Sequence, residues 1–469
     1  MSAHEPPVPE PEELAVEAAV EEEEPRARIE RFVALVEERD EAGLAEFIAE
    51  LHAPDVADLV EALDEDGRIW VMERLPIEVA SETLTEMEYE EHPEELLVAL
   101  DTDRIAELIG ELSDDDAVDL IRELEPTEQA RVLATLPHLD AAQLRRLLQY
   151  DEESAGGIMT TELVAVSVHS TAADAIAQVR RQAQEIGVDF YTIFVVDAYR
   201  RLIGTVSLQD LVIADPETPV TQLVQEPMAT VTVDEDQEEV GRLIGRYNLP
   251  SIAVVGPNDL LLGRITWDDV IDVMELEQTE DILHLAGVGS EEEVRGGWWN
   301  SVKSRLPWLY VNMFTAFIAA LVVRAFEGTI EQMAFLAAIN PVIAGLGGNA
   351  ATQTLAVTVR RLALTDDGVT QRWDVASKEL FVGLFNGMML GIVAGIAAWL
   401  WLDQPMLGVV VLIAMWGNLV VASAAGAFVP LLLDRWGADP AVASSIFVTA
   451  FTDTMGFFLF LGLATQLLL

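Results

Sequence analysis

The sequence contains no cysteine and few basic residues. Its 469 residues include 27 Lys and Arg, of which two are lysine, against 81 Asp and Glu, for a formal net charge of −54. Without cysteine the chain can form no disulfide scaffold, thiolate metal site or cysteine nucleophile. The shortage of Lys and Arg also argues against nucleic-acid binding, because phosphate contact needs clustered basic side chains.

Acidic and apolar residues occupy different parts of the chain. The mean hydropathy is +0.28 despite the charge. Residues 306–469 hold 6 Lys and Arg and 10 Asp and Glu, so residues 1–305 hold 21 and 71, a net charge of −50. The sequence therefore predicts a polyanionic soluble part followed by a membrane part, residues 306–469. A high-salt proteome would also favour such acidity, so only some of these carboxylates are expected to bind cations.

Five stretches of the membrane part are long enough to cross a bilayer, since a spanning helix needs about 20 apolar residues. They are Pro307–Val323, Met333–Val359, Leu380–Leu402, Pro405–Leu433 and Ala441–Leu469. Basic residues gather in the loops on one side, at Lys303, Arg305, Arg360, Arg361, Arg372, Lys378 and Arg435. The positive-inside rule then places the N-terminus in the cytoplasm and the C-terminus outside the cell membrane. Residues 1–25 lack the features of a cleaved signal peptide.

Asp453 is the acidic residue that interrupts the fifth stretch. An ionised carboxylate deep in a membrane costs roughly 2.5–3.5 kcal/mol on insertion scales, so it needs a partner or an aqueous path. No Lys or Arg lies within its span or deep in another, which favours a transported cation or a proton. The alternative is a protonated carboxyl hydrogen-bonded to Thr449, Thr452 or Thr454. Thr449 and Ser445 share its helix face, and hard oxygen ligands of this kind suit Mg²⁺.

Small residues mark two further spans. Gly383, Gly387, Gly391 and Gly395 recur every four residues, which predicts a face for close helix packing. In the second span, Asn340-Pro341 is followed by three glycines between residues 345 and 348. Such a segment weakens helical hydrogen bonding and is tolerated in a membrane only where protein or water covers it. We expect it to line a cavity or to pack on a dimer axis.

The soluble part begins with an acidic tail, residues 1–25, whose composition predicts disorder. Residues 26–150 show helical periodicity, and residues 56–63 align with residues 105–112 at an offset of 49. Repeated helical units bury a shared core and leave a long surface free. That surface carries Asp114, Asp115, Asp116 and Asp119.

Residues 155–282 contain two copies of a β-α-β-β-α pattern, at residues 155–215 and 224–282. Each copy ends in strand, glycine, strand, Ser/Thr-x-x-Asp and helix, which resembles a tandem pair of CBS domains. The resemblance implies that the pair binds an adenine nucleotide such as ATP near the turn residues Ser207, Asp210, Thr266 and Asp269. The same turn also serves purely as a helix N-cap.

A second group of acidic residues lies in and after this segment. It comprises Asp234, Glu235, Asp236, Glu238, Glu239, Asp268, Asp269, Asp272, Glu275, Glu277, Glu280 and Asp281. Like charges on one helix face repel, and divalent cations would offset the repulsion, although a solvated acidic surface is the simpler alternative. Residues 283–305 contain Trp298-Trp299 followed by Lys303 and Arg305, which predicts a connecting helix on the membrane surface.

The order of helical repeat, CBS pair, connecting helix and five spans resembles the MgtE family of magnesium channels. Its membrane motifs are Pro341 with Gly347-Gly348-Asn349 and Gln353, and Asp439-Pro440 with Thr452-Asp453 and Gly456. The implied fold is multidomain: a cytoplasmic all-α superhelical domain, an α/β tandem CBS domain and a polytopic α-helical membrane domain of five transmembrane helices. The resemblance further implies a homodimer with an ion path along its two-fold axis.

The resemblance also implies residue roles. Asp453 matches a pore aspartate that holds hydrated Mg²⁺, Ser445 stands where some members have Asn, and Thr449 lends a backbone carbonyl, with Asn349 and Gln353 also at the pore. Cytoplasmic Mg²⁺ bridges acidic faces of the helical and CBS domains and closes the channel. The matching acidic positions are Asp115, Asp119, Asp236, Glu238, Asp269, Asp272, Glu277, Glu280 and Asp281. One further acidic position is Asn248 in this chain.

Other functional classes stay open at this point. A proton-coupled transporter, or one of broader specificity that carries Mn²⁺ or Co²⁺, would also use an intramembrane carboxylate. A CBS-bearing anion channel would need basic residues at the pore, and the spans offer none. A membrane enzyme is not expected, because the six His lie outside the spans and Asp453 has no acidic partner nearby. We expect contact with membrane lipid and no obligatory protein partner beyond a second copy.

Overall fold

The computed structural model describes residues 25–49, 51–88, 91–186, 192–289, 297–363, 369–436, 440–441 and 444–469. The tail before residue 25, predicted to be disordered, and Asp439 lie outside these residues. The chain divides into two compact units, Met1–Ile271 and Asp272–Leu469.

The first unit begins with ten helices among its described residues. These are α1 Pro25–Glu37, α2 Glu41–Ile48, α3 Ala53–Glu61, α4 Glu65–Met72, α5 Ile77–Glu86, α6 Pro93–Ala99, α7 Thr102–Glu111, α8 Asp114–Arg122, α9 Pro126–Thr135 and α10 His138–Leu147. Several begin at a side-chain cap, as where Asp64 accepts a hydrogen bond from the Gly67 amide at 2.9 Å. Their apolar faces meet in a core that includes Phe32, Leu84 and Leu108.

The predicted helical repeat is present in the element bounds. Helix α3 begins at Ala53 and α7 at Thr102, 49 residues later, and α5 spans Ile77–Glu86 where α9 spans Pro126–Thr135. Each helix is short, so its stability comes from packing its apolar stripe on its neighbours rather than from intrinsic helix propensity. The all-α prediction for this region is confirmed.

Two three-stranded sheets follow, each in the predicted β-α-β-β-α order. The first copy contains β1 Ala165–Ser167, α11 Ala172–Ile186, β2 Thr192–Val196, β3 Leu202–Ser207 and α12 Leu208–Ile213. The second contains β4 Thr230–Thr232, α13 Gln237–Tyr247, β5 Ser251–Val255, β6 Leu261–Thr266 and α14 Trp267–Ala286. In both sheets the middle strand pairs parallel with the first strand and antiparallel with the last.

The two copies share a core. Phe194 of the first sheet packs with Ala253 and Leu261 of the second, and Leu163 completes this buried cluster. An isolated bridge also joins Arg201 to Leu260. The CBS copies therefore form one body inside the first unit, which is what a tandem pair requires.

Among its described residues, the second unit contains five helices that are long and apolar enough to span a membrane, as predicted. The helices are α15 Trp298–Ala325, α16 Glu327–Gln332, α17 Leu336–Ala363, α18 Val369–Leu402, α19 Pro405–Arg435 and α20 Ser444–Leu467, and all except the short α16 qualify as spans. Buried side chains from α17, α19 and α20 form the bundle core, including Ile343, Met415 and Phe460.

The predicted connecting segment, residues 283–305, lies partly outside the described residues, which omit 290–296. Within its described residues, α14 ends at Ala286 and α15 begins at Trp298 as part of the first span. Gly287 has φ +75°, a conformation that favours glycine and ends a helix. The Trp298-Trp299 pair therefore belongs to the start of a transmembrane helix.

The predicted glycine face is confirmed, and its partner is α19. A Cβ added to Gly391 would lie 2.8 Å from the Leu412 carbonyl oxygen, and one added to Gly395 would lie 2.6 Å from the Gly408 carbonyl oxygen. Contact with a neighbouring backbone leaves no space for a side chain. Helices α18 and α19 thus pack backbone to backbone, as small residues allow in lipid.

Candidate functional site

The first candidate site lies on α20 around Asp453. This side chain is half-buried, and its carboxylate makes no hydrogen bond or ion pair with the residues that the structure describes. The hydroxyl of Thr452 donates instead to the Thr449 carbonyl oxygen at 2.9 Å. The hydrogen bond to threonine that would accompany a protonated Asp453 is therefore not formed within the described part of the chain.

The second span approaches α20 one turn before Asp453. A Cβ added to Gly348 would lie 4.0 Å from the Thr449 methyl group. Asn349 and Gln353, on the same stretch of α17, are exposed at the surface of the single chain, and Ser445 and Thr449 are half-buried. The structure thus brings Gly348 to Thr449, and it leaves the polar side chains of both helices on accessible surface.

The last turn of α14 and the residue after it cover one end of this site. Leu285 packs against a buried cluster of Leu355, Val359 and Ala441. The next turn brings Gly287 close to Ser445, since a Cβ added to Gly287 would lie 3.8 Å from the Ser445 hydroxyl oxygen. The residues that follow the CBS pair therefore touch the beginning of the helix that carries Asp453.

The second candidate site is an acidic interface between the helical repeat and the CBS pair, inside the first unit. We define the acidic interface as Asp114, Asp115, Asp116, Asp119, Glu162, Asp268 and Asp269, gathered around Arg264. The aspartates of the repeat begin α8, where Ser113 is the N-cap and its hydroxyl donates to Asp116 at 2.7 Å. Asp268 and Asp269 begin α14.

Hydrogen bonds form across and on each side of the acidic interface. Asp114 accepts one across the interface from the Thr161 hydroxyl and one from the Gln143 amide of its own helical domain, the latter at 2.5 Å. Asp269 accepts from the hydroxyl and the backbone amide of Thr266. These bonds occupy some carboxylate oxygens and leave the negative charges facing one another.

Burial and mutual repulsion raise the pKa values of these carboxyls. The pKa of Asp115, only 8% exposed, lies well above its ordinary value, through burial first and the charge of Asp269 second. Burial raises the pKa of Asp116 to about 6, and burial together with Asp114 raises that of Glu162 to about 7. Each ionised carboxyl here is costly, so the acidic interface favours any bound cation.

Arg264 is the cation that the fold already supplies to this interface. Its side chain is 5% exposed, and its Nε donates to the Glu162 carbonyl oxygen at 2.7 Å. Burial lowers the pKa of the guanidinium, while the charges of Asp115 and Asp269 oppose that change. One arginine offsets a small part of the negative charge. Asp119 lies at the edge, exposed and paired with Arg122 at 3.2 Å.

The structure places the remaining predicted regulatory residues elsewhere in the fold. Asp236 is the exposed N-cap of α13, and its carboxylate accepts from the Glu238 amide at 2.8 Å. Asp272, Glu277, Glu280 and Asp281 lie on α14 in the second unit. Asn248 ends α13 in the left-handed conformation, with φ 51°, which Asn adopts more readily than most residues.

Hard carboxylate oxygens fit a bound Mg²⁺, but no metal site is pre-assembled. Within the described ranges, no group of three or more His, Asp or Glu side chains stands at metal-binding distance. One oxygen of Glu162, Oε2, is buried without a hydrogen-bond partner in the same part of the chain. The acidic interface can therefore accept a further positively charged partner, and its role in regulation stays a prediction.

The candidate nucleotide residues occupy equivalent helix starts in the two copies. The Ser207 hydroxyl accepts from the Asp210 amide at 3.0 Å, and both side chains lie outside the core. Thr266 is hydrogen-bonded to Asp269, whose carboxylate faces the helical repeat. Ser207 and Asp210 are thus free of the acidic interface, whereas Thr266 is part of its support.

Three residues of interest were missed at the sequence level. Glu162 and Arg264 are far from α8 in sequence, and no spacing rule connects them with Asp115. Glu379 lies within the third span as the structure has it and is only 5% exposed, 3.4 Å from the Lys378 ammonium. Its position beside a lysine at the end of an apolar stretch was the available signal.

Comparison with known protein families matches most of the chain between residues 23 and 276 and again between residues 340 and 463. The MgtE family of divalent cation transporters matches residues 340–463. The MgtE intracellular N domain matches residues 23–153, and the CBS domain matches residues 155–217 and 220–276. Together with the five spans, these matches identify a membrane protein with a cytoplasmic N-terminal part.

Curated relatives extend over most of the chain. A magnesium transporter MgtE of Thermus thermophilus is 34% identical over 88% of this chain and 92% of its own length. One from Enterococcus faecalis is 35% identical over 70% of this chain and 72% of its own. Among solved structures, the cytosolic domain of the Mg²⁺ channel MgtE in complex with ATP is 35% identical, with a TM-score of 0.50, covering 52% of this chain and 99% of that one. The soluble part of a magnesium transporter gives the same TM-score at 29% identity, covering 54% and 99%. This chain belongs to the MgtE family.

Proposed function

We propose that the protein is a channel that carries Mg²⁺ into the cell across its inner membrane, with the C-terminus outside. The family membership supports cation transport, and the named relatives are magnesium transporters. Loop arginines and lysines support the orientation, because basic residues favour the cytoplasmic side.

The observation that carries this proposal is the state of Asp453. A carboxylate within a span, half-buried and without a partner in the described part of the chain, is stable only if something positive or aqueous reaches it. A hydrated Mg²⁺ satisfies that need through its water shell, because Mg²⁺ dehydrates reluctantly and makes few direct protein bonds. Thr449, Ser445, Asn349 and Gln353 would add neutral oxygens along the same path.

The test is Mg²⁺ uptake into vesicles by purified protein carrying Asp453→Asn. We expect uptake to fall about tenfold or more, since the amide keeps the size of the side chain and removes the charge that offsets the cation. Asp403→Asn is the matched control: Asp403 is exposed between α18 and α19, and its φ of 51° suits Asn equally well. Full uptake by the Asp453 variant would contradict the proposed path.

The same vesicles separate the channel from a proton-coupled or less selective transporter. Channel flux follows the Mg²⁺ gradient and the membrane potential, whereas proton-coupled flux follows an imposed pH gradient. Uptake of Mn²⁺ or Co²⁺ at the Mg²⁺ rate would favour the broader specificity.

Gating by cytoplasmic Mg²⁺ is the second part of the proposal. The acidic interface supports it, because burial and neighbouring carboxylates raise the pKa values of Asp115 and Glu162, and a bound cation would offset the negative charge of the two sides. The contact of Gly287 with Ser445 supports a link from α14 to the start of α20. We infer that bound Mg²⁺ favours the closed state and that its loss allows opening. The size of this shift is set by the difference in Mg²⁺ affinity between the closed and the open state. Unaltered inhibition by internal Mg²⁺ after removal of residues 1–280 would contradict this inference.

A homodimer is proposed because one chain leaves its path residues and several apolar side chains exposed. Val212 and Ile213 of α12 are 65% and 73% exposed, and Met228 is 71% exposed. Apolar surface of this kind marks interaction sites when it is contiguous, and a second copy would place two Asp453 side chains on one path. A monomeric mass in detergent solution would contradict the dimer.

ATP binding at the CBS pair is proposed on the likeness to a cytosolic domain in complex with ATP. Ser207 and Asp210 are the better candidates for contact with the ribose, because Thr266 and Asp269 are engaged at the acidic interface. Unchanged retention of labelled ATP by Ser207→Ala would contradict that assignment.

A further inference from the structure

Asn418 is a polar side chain at the centre of the membrane bundle. It lies on α19 and is 0% exposed. Its Nδ2 donates to the Ile343 carbonyl oxygen of α17 at 2.9 Å, and its Oδ1 is buried without a hydrogen-bond partner among the described residues. Burying an amide with an unpaired oxygen costs free energy, and an apolar side chain of the same shape would avoid that cost. We therefore expect the amide to have a specific role.

Two glycines on two different helices make room for this amide. A Cβ added to Gly347 of α17 would lie 2.2 Å from Asn418 Nδ2, and one added to Gly456 of α20 would lie 2.9 Å from the same atom. Either methyl group would collide with the amide. The Asn418 side chain is thus enclosed between the backbones of α17 and α20.

Both glycines stand beside residues of the proposed path. Gly347 is two residues before Asn349, and Gly456 is three residues after Asp453. Between them, Gly348 approaches Thr449. The depth and spacing of the two helices at the amide therefore also set where the path residues of α17 stand relative to those of α20.

We propose that Asn418 is a positioning residue for ion permeation. Its hydrogen bond to Ile343 fixes α17, and its enclosure against Gly456 fixes α20, so that Asn349 and Asp453 stand at matched levels of the path. Asn418 does not contact the ion. The inference rests on the path proposed above, and it adds a residue of the fourth span that no membrane motif in the sequence includes.

Asparagine suits this task better than an apolar residue. Packing contacts in lipid hold helices together but slide easily, because lipid tails are as apolar as a leucine side chain. A directional hydrogen bond to one carbonyl oxygen defines the register of one helix against another. A leucine at 418 would fill the same space without defining that register.

The test is Asn418→Leu in the full-length protein, with Mg²⁺ and Co²⁺ uptake measured in vesicles. We expect the variant to be purified folded, with Mg²⁺ uptake lowered about tenfold and a changed ratio of Mg²⁺ to Co²⁺ uptake. The matched control is Thr358→Val, which removes a buried hydroxyl of α17 whose hydrogen bond, to the Thr354 carbonyl oxygen at 2.8 Å, stays within its own helix. Wild-type uptake with an unchanged ion ratio in Asn418→Leu, or an equal loss in Thr358→Val, would overturn the proposal.

A second pair of variants covers the case in which leucine prevents folding. Gly347→Ala alone should prevent folding, because the added methyl group collides with Asn418. Combining it with Asn418→Ala should remove the collision. We expect the double variant to recover folded protein but not Mg²⁺ uptake. Recovery of both would show that Asn418 only fills space.

A third measurement separates the failure of this inference from failure of the path. The chain has no cysteine, so Thr449→Cys introduces a single thiol where α17 and α20 meet. Asn418→Leu should change the rate at which a water-soluble thiol reagent modifies that cysteine by about threefold or more. An unchanged rate would overturn the positioning role even if Asp453 proved essential. A changed rate combined with normal uptake by Asp453→Asn would instead refute the path and leave the helix positioning intact.

Discussion

The acidic interface and the membrane bundle differ in how they surround their carboxylates. The acidic interface gathers seven carboxylates around Arg264, and burial raises several of their pKa values. In the bundle, Asp453 stands without a partner in the described part of the chain. Under the proposed function, the first arrangement would respond to cation concentration, and the second would accept one passing cation at a time. We therefore expect that sensing and passage can be altered separately by mutation.

The two regions also differ in how their helices pack. Helices of the soluble repeat are short, some begin at a side-chain cap, and they bury large residues such as Phe32. Membrane helices α18 and α19 meet through glycines, with the backbone of one against the backbone of the other. The difference follows from the solvent, because burial of apolar side chains stabilises contacts in water, whereas close approach does so in lipid.

The largest stability effect is expected where a methyl group meets a backbone. Gly391→Ala places its Cβ 2.8 Å from the Leu412 carbonyl oxygen and should destabilise the protein by about 1–3 kcal/mol through overpacking. Thermal unfolding in detergent measures the loss. Gly245→Ala is the control, since Gly245 lies on α13 with nothing within 4 Å of an added Cβ. That change should be neutral or stabilise by up to about 1 kcal/mol. Equal effects of the two substitutions would break the contrast between the regions.

A smaller effect is expected from pH at the acidic interface. Glu162 has a pKa raised from 4.5 to about 7, so between these values the folded protein binds more protons than the unfolded chain. Stability must then fall as pH rises through this window, by roughly 1–3 kcal/mol in Mg²⁺-free buffer. Glu162→Gln should flatten the decline, as judged by melting temperatures from pH 5 to 8, relative to the exposed control Glu217→Gln. A decline of the same slope in both variants would show that Glu162 does not carry it.

Much of the fold follows from local patterns. The offset of 49 residues predicted where helices repeat, because each unit buries the same stripe. Period-four glycines predicted the packing face of α18, because four residues return to one side of a helix. Span number followed from apolar length. The connecting helix stays a prediction, because Trp298 and Trp299 indicate a headgroup position, which the start of a spanning helix satisfies as well as a surface helix does.

The sites were predicted less completely, because their partners are distant in sequence. Asp453 was found from its chemistry alone, since a charge among apolar residues is conspicuous. Glu162 and Arg264 are separated by 102 residues, and the pairing of Thr160 with Arg264 helps to bring them together. Asn418 is inconspicuous, because its importance comes from two glycines on other helices. A residue that acts through a contact between distant elements can be identified only when the structure is known.

The most direct test measures uptake and its inhibition in the same vesicles. Two variants, Asp453→Asn and the pair Asp115→Asn with Asp269→Asn, are compared with the wild type while internal Mg²⁺ is varied. We predict that Asp453→Asn loses uptake at every internal concentration. The interface pair should keep its maximal uptake while the suppression by internal Mg²⁺ shrinks about fivefold or more. Full uptake by Asp453→Asn, or undiminished suppression in the interface pair, would contradict the assignment of passage to Asp453 and of sensing to the acidic interface.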